Sequence, residues 1–120
     1  MAKIIVVDDD PTIRDVLQRF LEQEGNEVVL ASDGLEALAI LNDTAVDVAL
    51  VDIIMPMVDG LKLMRRMQQD HPRVRLVVMS GHDDVLDLPA RELGVVLTIR
   101  KPFTLQGVKE VVEAAANTSM

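Results

Sequence analysis

The sequence predicts an open α/β fold in which a parallel sheet carries helices on both faces. Five short apolar runs alternate with segments whose apolar residues have helical spacing, and the connections between them are short. Such alternation favours right-handed crossovers and a parallel sheet. Four of the five runs end in a polar side chain, namely Asp8, Asp52, Ser80 and Lys101. Because ligands bind outside the carboxyl ends of parallel strands, we expect these side chains to converge on one crevice.

Each apolar run is predicted to form a strand. The expected strands cover residues 3–7, 27–31, about 47–51, 74–79 and 95–100. The first is apolar and β-branched at both alternating positions, as expected for a strand that is buried on both faces. The second strand delivers no reactive side chain, and we therefore expect it at an edge of the sheet.

Five helices are predicted between and after these strands. Asp10 matches an N-cap before Pro11, and Gly25 ends the first helix, at about residues 11–24. The second begins after Asp33, the third at residue 59, the fourth covers about 83–93 with a proline inside it, and the last follows residue 104. The expected core-facing residues are Ile13, Val16, Leu17, Phe20, Leu21, Leu35, Leu38, Ala39, Leu41, Leu61, Met64, Met67, Leu105, Val108, Val111, Val112 and Ala115.

Length and composition restrict the class of protein. At 120 residues the chain has room for one domain, whose core must be aliphatic because Phe20 and Phe103 are its aromatic residues. The absence of cysteine excludes disulfides and thiolate metal sites. A net charge of −8 argues against direct binding of nucleic acid, and no apolar run approaches the roughly 20 residues that span a bilayer. We expect a soluble, cytoplasmic protein without a signal peptide or membrane contact.

The polar side chains at the strand ends suit phosphoryl transfer. Asp8, Asp9 and Asp52, gathered in one crevice, would repel one another unless a cation joined them. Ligands that offer only oxygen favour a hard ion such as Mg2+, which shares phosphate oxygens readily. Lys101 adds a charge that can pair with Asp52 or with a phosphoryl oxygen, and Ser80 adds a hydroxyl donor. The most economical nucleophile is Asp52, because carboxylates form aspartyl phosphates.

Four motifs in order give the chain a specific resemblance to a known family. They are VVDDD at 6–10, VDIIMPMVDG at 51–60, MSG at 79–81 and KPF at 101–103. From Lys3 to about Ala116 the chain resembles the receiver domain of two-component response regulators. The resemblance implies a flavodoxin-like (CheY-like) doubly wound fold with five parallel strands in the order 2-1-3-4-5 and five helices. We therefore expect a single receiver domain over residues 1–120, with its core at about 3–116.

The resemblance also implies roles for individual residues. Asp52 resembles the phosphoacceptor, Lys101 the phosphate-binding lysine and Ser80 the switch hydroxyl. The implied Mg2+ ligands are Asp8, Asp9, Asp52 and the backbone carbonyl of Ile54. The peptide bond that precedes Pro102 is similar to the cis peptide of the family.

One position departs from the pattern of the family. The residue three before the lysine is usually aromatic and swings inward on phosphorylation, but here it is Thr98. We therefore expect Ser80 to communicate with the surface by another route, through the fifth strand and the fourth helix.

The function implied is a phosphorylation-controlled switch rather than an enzyme, with slow autodephosphorylation. A histidine kinase or phosphotransfer domain donates the phosphoryl group, and the altered face binds a downstream protein or output domain, with a weak homodimer as a further option. Two alternatives stay open. A Mg2+-dependent phosphatase of the aspartyl-phosphate type would need a second acid and usually a cap, for which the sequence gives no sign. A pseudo-receiver would bind a partner without being phosphorylated.

Overall fold

Strands and helices alternate in the computed structural model, which describes residues 2–52, 60–80 and 95–117. The strands are β1 (Lys3–Val7), β2 (Glu27–Ala31), β3 (Val48–Asp52), β4 (Arg75–Ser80) and β5 (Val95–Arg100), each within one residue of its predicted bounds. The helices in these ranges are α1 (Pro11–Gln23), α2 (Gly34–Asp43), α3 (Gly60–Asp70) and α4 (Leu105–Ala116), and none is long and apolar enough to cross a membrane. The helix predicted at 83–93 and the predicted start of α3 at residue 59 lie outside the described residues.

The five strands form one parallel sheet in the order β2-β1-β3-β4-β5. This confirms the predicted strand order and the edge position of β2. The order reverses between β1 and β3, and this reversal is the point at which open α/β sheets bind ligands. Val7 of β1 is paired with Val51 of β3. The residues that follow them, Asp8 and Asp52, therefore stand on adjacent strands, which are about 4.8 Å apart in such sheets.

Side chains of the sheet alternate between two hydrophobic clusters, one on each face. The α2/α3 cluster consists of Ile5, Val7, Ala31, Ala37, Leu41, Val46, Ala49, Val51, Leu63, Met64, Met67, Leu76 and Val78. The α1/α4 cluster consists of Ile4, Val6, Leu17, Leu21, Val48, Leu50, Val77, Met79, Ile99, Val108, Val112 and Ala115. Successive residues of β1, β3 and β4 belong to opposite clusters because side chains in a strand alternate with a period of two. Helices thus cover both faces, as predicted.

Both ends of α1 are fixed by local hydrogen bonds. The Asp10 carboxylate accepts from the Thr12 backbone N–H at 2.9 Å, which confirms the predicted N-cap. At the other end Gly25 has φ 92°, and its N–H donates to the Glu22 carbonyl. The N–H of the next residue, Asn26, donates to the Leu21 carbonyl, completing a Schellman motif. The helix therefore ends at Gln23, one residue before the predicted end.

Several residues predicted to face the core are exposed instead. Val16 is 41% exposed, Leu35 64% and Leu105 38%, and Ala39 is also exposed. In α2 the buried positions are Gly34, Ala37 and Leu41, which share one face of the helix. Leu35 lies about 100° around the helix from Gly34, so it points away from the sheet in spite of its size. In α3 the fully buried Leu63 was missed by the prediction.

We expect Leu17→Ala to lower the free energy of unfolding by about 3 kcal/mol, because it removes a fully buried side chain from the α1/α4 cluster. The neighbouring Val16 is 41% exposed, and Val16→Ala should change the same quantity by less than about 0.5 kcal/mol. Urea unfolding of both variants and the wild type measures the difference. Equal losses in the two variants would contradict the packing of α1 described above.

Candidate functional site

The polar side chains that end three strands continue one alternation of the sheet. Every second residue of β1, β3 and β5 faces α1 and α4. Continuing this spacing to the end of each strand reaches Asp8 after β1, Asp52 in β3 and Lys101 after β5. The three series are Ile4, Val6 and Asp8; Val48, Leu50 and Asp52; and Leu97, Ile99 and Lys101. Because side chains alternate with a period of two, the three polar groups are directed to the same side of the sheet. The observed contacts among them agree with this placement.

Three carboxylates meet at the switch point between β1 and β3. One oxygen each of Asp8, Asp9 and Asp52 lies within 4.8 Å of the others. Asp8 has no exposed surface and Asp52 is 7% exposed, whereas Asp9 is exposed. The sequence predicted this gathering. It did not distinguish the two buried acids from the exposed one.

Lys101 brings its ammonium group to two of these carboxylates. Its Nζ lies 3.1 Å from Asp8 Oδ2 and 3.2 Å from Asp52 Oδ2, and the lysine side chain is 24% exposed. The lysine therefore joins the ends of β1 and β3 from the end of β5. Three carboxylates stand against one ammonium in this group, so the site keeps an excess of negative charge. The Lys101–Pro102 peptide bond is cis, as predicted.

Every polar group of Asp8 has a partner. Its backbone N–H donates to the Ala31 carbonyl at 3.2 Å, and its Oδ1 accepts from the Asp10 backbone N–H at 2.9 Å. Its Oδ2 accepts from Lys101, and its backbone carbonyl accepts from Arg14 Nη1 at 2.7 Å. The role of Arg14 was not predictable from the sequence, because a side chain that binds a backbone carbonyl leaves no residue pattern at the acceptor.

Burial and charge act in opposite directions on Asp8 and Lys101. Burial raises the pKa of Asp8 above its usual 3.8, with a contribution from the Asp52 charge, although the bonds from Asp10 and Lys101 oppose the rise. Burial disfavours the charged form of Lys101, but hydrogen bonds and attraction to Asp8 and Asp52 outweigh it and raise its pKa above 10.5. The lysine is therefore protonated at neutral pH.

Of the remaining predicted residues, Ser80 and Thr98 have defined positions in the sheet, and Ile54 does not belong to the described residues. Ser80 is the last residue of β4, and its backbone is paired with Arg100 of β5. Thr98 is exposed in β5 and paired with Val78. Ile54, whose backbone carbonyl is predicted to bind the metal, lies outside the described residues.

The three carboxylates fit a Mg2+ ion by their chemistry and spacing. Mg2+ prefers oxygen ligands at about 2.1 Å, so two ligands on opposite sides of one ion are about 4.2 Å apart. The spread of 4.8 Å among the three oxygens exceeds this by less than an ångström. The excess negative charge of the group also favours a divalent cation.

Comparison with known proteins identifies the family to which the sequence and the fold are similar. The profile of the response regulator receiver domain matches residues 4–113. Sporulation initiation phosphotransferase F of Bacillus subtilis is 31% identical over 113 residues, which cover 92% of this chain and 90% of that protein. The DNA-binding transcriptional regulator NtrC of Salmonella typhimurium is 38% identical over 111 residues, but the chain spans only 24% of its length.

Solved receiver domains have the same fold. The response regulator protein TrrA of Thermotoga maritima, solved in complex with Mg(2+)-BeF, is 28% identical to this chain with a TM-score of 0.86. The similarity covers 96% of this chain and 99% of that one. The profile match spans most of the sequence and the Bacillus protein matches over nearly its whole length, so this chain belongs to the response regulator receiver domain family.

Proposed function

We propose that the chain is a cytoplasmic phosphoacceptor switch, in which Asp52 receives a phosphoryl group from the phosphohistidine of a histidine kinase or phosphotransfer domain. The observation that carries this proposal is the Lys101 ammonium held between Asp8 and Asp52 beside a third carboxylate, at the switch point of the sheet. A carboxylate nucleophile needs neighbouring positive charge, because the group that it attacks is itself an anion. Lys101 supplies that charge within hydrogen-bonding distance of the nucleophile.

The chemical step is an exchange of one bond to phosphorus for another. A carboxylate oxygen of Asp52 attacks the phosphorus, the N–P bond breaks, and its electron pair returns to the imidazole nitrogen of the donor. Charge in the transition state is spread over the other phosphoryl oxygens. Lys101 neutralises part of it, and in our proposal the Ser80 hydroxyl donates a hydrogen bond to another of these oxygens.

Asp8, Asp9 and Asp52, with the backbone carbonyl of Ile54, would hold the Mg2+ ion. When bound, Mg2+ supplies positive charge to the phosphoryl oxygens without a proton transfer. The likeness to the Thermotoga protein solved with Mg(2+)-BeF supports this assignment. Lys101, which contacts two of the three carboxylates at rest, would turn towards the phosphoryl oxygens when they arrive.

The output is a change of binding surface, and slow autodephosphorylation would reset it. Phosphorylation adds negative charge at the end of β3, and a two-state element that responds to this charge would favour one form. In our proposal that form binds a downstream protein or output domain, or forms a weak homodimer. Thr98, at the surface of β5, is one residue through which such a change would reach the exterior.

Intact mass spectrometry after incubation with acetyl phosphate tests the phosphoacceptor. We expect one added phosphoryl group on the wild type in the presence of Mg2+, and none without Mg2+ or on Asp52→Asn. Asp47→Asn, an exposed acid just before β3, is the matched control and should be phosphorylated normally. No added mass in the wild type would leave the pseudo-receiver as the better description, and steady turnover of small phosphomonoesters would identify a phosphatase.

Calorimetric titration with Mg2+ tests the metal ligands. Asp9→Asn should weaken Mg2+ binding by at least about tenfold, because even residues that support metal ligands contribute that much. Asp10→Asn removes the same charge from the adjacent position, and asparagine caps a helix as well as aspartate does. The site is assigned wrongly if the two variants bind Mg2+ equally well.

In metal-free protein, the stability of Asp8→Asn relative to the wild type should rise with pH. Burial raises the pKa of Asp8, so between 3.8 and the folded pKa the folded state binds more protons than the unfolded state. The free energy of unfolding of the wild type therefore falls as pH increases through that interval. Asp8→Asn has no carboxylate at this position and does not show this fall. Urea unfolding in EDTA at several pH values gives the difference. A difference that falls as pH rises would contradict the raised pKa.

A further inference from the structure

Arg14, in the first turn of α1, extends its guanidinium group back to the loop that carries Asp8 and Asp9. Arg14 Nη1 donates to the backbone carbonyl of Asp8 at 2.7 Å, from a half-buried side chain. This distance is at the short end for an N–H···O bond and is typical of a charged donor, whose bonds are about twice as strong as neutral ones. We propose that Arg14 is a positioning residue of the metal site, an inference that rests on the function proposed above.

The carbonyl that Arg14 binds belongs to the peptide that joins Asp8 to Asp9. Because a peptide unit is planar, fixing its oxygen also fixes the N–H and Cα of the following residue. The other side of this unit is already held, since Asp8 is buried and bonded to Ala31 and Asp10. Arg14 therefore completes the fixation of the backbone on which Asp9 stands.

Asp9 needs this support more than the other two acids do. Asp8 and Asp52 are buried and are contacted by Lys101, whereas Asp9 is exposed. An exposed side chain has little packing to hold it, so the position of its carboxylate depends on the backbone from which it projects. The residue that fixes this backbone thus determines whether the third oxygen lies within the 4.8 Å group.

Charge and positioning predict opposite effects of removing Arg14. If only its charge mattered, its removal would strengthen Mg2+ binding, because a cation repels a cation. If the hydrogen bond orders Asp9, its removal should weaken Mg2+ binding. The sign of the change in affinity therefore separates the two roles.

The test is calorimetric Mg2+ titration of metal-free wild type, Arg14→Met and Arg19→Met, each checked for folding by urea unfolding. Arg19 lies on the same helix, pairs with Asp15 at 3.3 Å and is 75% exposed, so its variant removes the same charge without touching the loop. We expect the Mg2+ dissociation constant of Arg14→Met to rise about tenfold. Arg19→Met should stay within about twofold of the wild type, because an exposed distant charge is screened.

Phosphorylation by acetyl phosphate gives the second measurement. Arg14→Met should need about tenfold more Mg2+ for half-maximal rate, while its rate at saturating Mg2+ should stay within about twofold of the wild type. A variant damaged only in folding would not separate these two quantities. The inference is overturned if Arg14→Met binds Mg2+ as tightly as the wild type or more tightly.

Arg14→Lys keeps the charge and part of the stem but not the planar group, and it serves if Arg14→Met does not fold. Its dissociation constant should lie between those expected for the wild type and Arg14→Met, and an unchanged value would overturn the proposal. Failure of the proposed function looks different. In that case the wild type itself binds no Mg2+ or is not phosphorylated, whereas failure of the Arg14 proposal leaves the wild type active and the variants equal to it.

Discussion

The contact of one ammonium group with two buried carboxylates holds the site together. Lys101 lies beyond the end of β5, and it reaches Asp8 after β1 and Asp52 at the end of β3. A carboxylate without exposed surface, such as that of Asp8, is costly unless it is paired and hydrogen-bonded. The lysine and the Asp10 backbone N–H supply those partners. Burial, with a smaller contribution from the Asp52 charge, raises the pKa of Asp8. One ammonium cannot balance three carboxylates, and the remaining negative charge suits the site to a divalent cation.

The convergence of these groups follows from the register of the sheet. Val7 is paired with Val51, so Asp8 and Asp52 follow at the same level on adjacent strands. A slip of one residue between β1 and β3 would turn every side chain of one strand to the opposite face. Both faces of β1 and β3 are apolar and covered, so such a slip would exchange residues between the two clusters and would separate the two acids. The register that packs both clusters therefore also sets the geometry of the site.

The strands were predictable because buried strands have continuous apolar runs with clear polar ends. The faces of the helices were less predictable. Leu35 is 64% exposed, while Gly34 and Ala37 are buried, since small residues allow α2 to approach the sheet closely. A pattern based on hydrophobicity weights a leucine above a glycine, and it therefore assigned Leu35 to the core, although Leu38 and Leu41 of the same prediction do pack against or within the α2/α3 cluster. The strand order came from the resemblance to receiver domains, because alternation alone does not specify which strands are neighbours.

The sequence predicted which acidic and basic residues come together at the site, but it did not predict which of them are buried. Asp8 and Asp9 are adjacent in sequence, yet only Asp8 continues the series of β1 that faces α1 and α4, and only Asp8 is buried. Because both faces of β1 are buried, strand parity alone does not predict which of the two acids is buried. The contact of Arg14 with a backbone carbonyl has no signature in the sequence, because the acceptor is common to all residues.

The resting contacts of Lys101 also explain how a charge change at Asp52 would be felt elsewhere. A switch requires an interaction that differs between its two states. On the proposed function, the ammonium has two carboxylate partners before phosphorylation, and it gains phosphoryl oxygens as further acceptors afterwards. Burial opposes the charged form of Lys101, but Asp8 and Asp52 raise its pKa, so the ammonium is charged at rest and would be attracted to an added phosphoryl group. Lys101 directly follows Arg100, the last residue of β5. On the proposed function, a displacement of the lysine towards the phosphoryl group would therefore be passed first to the end of that strand, which makes β5 one route from Asp52 to the surface.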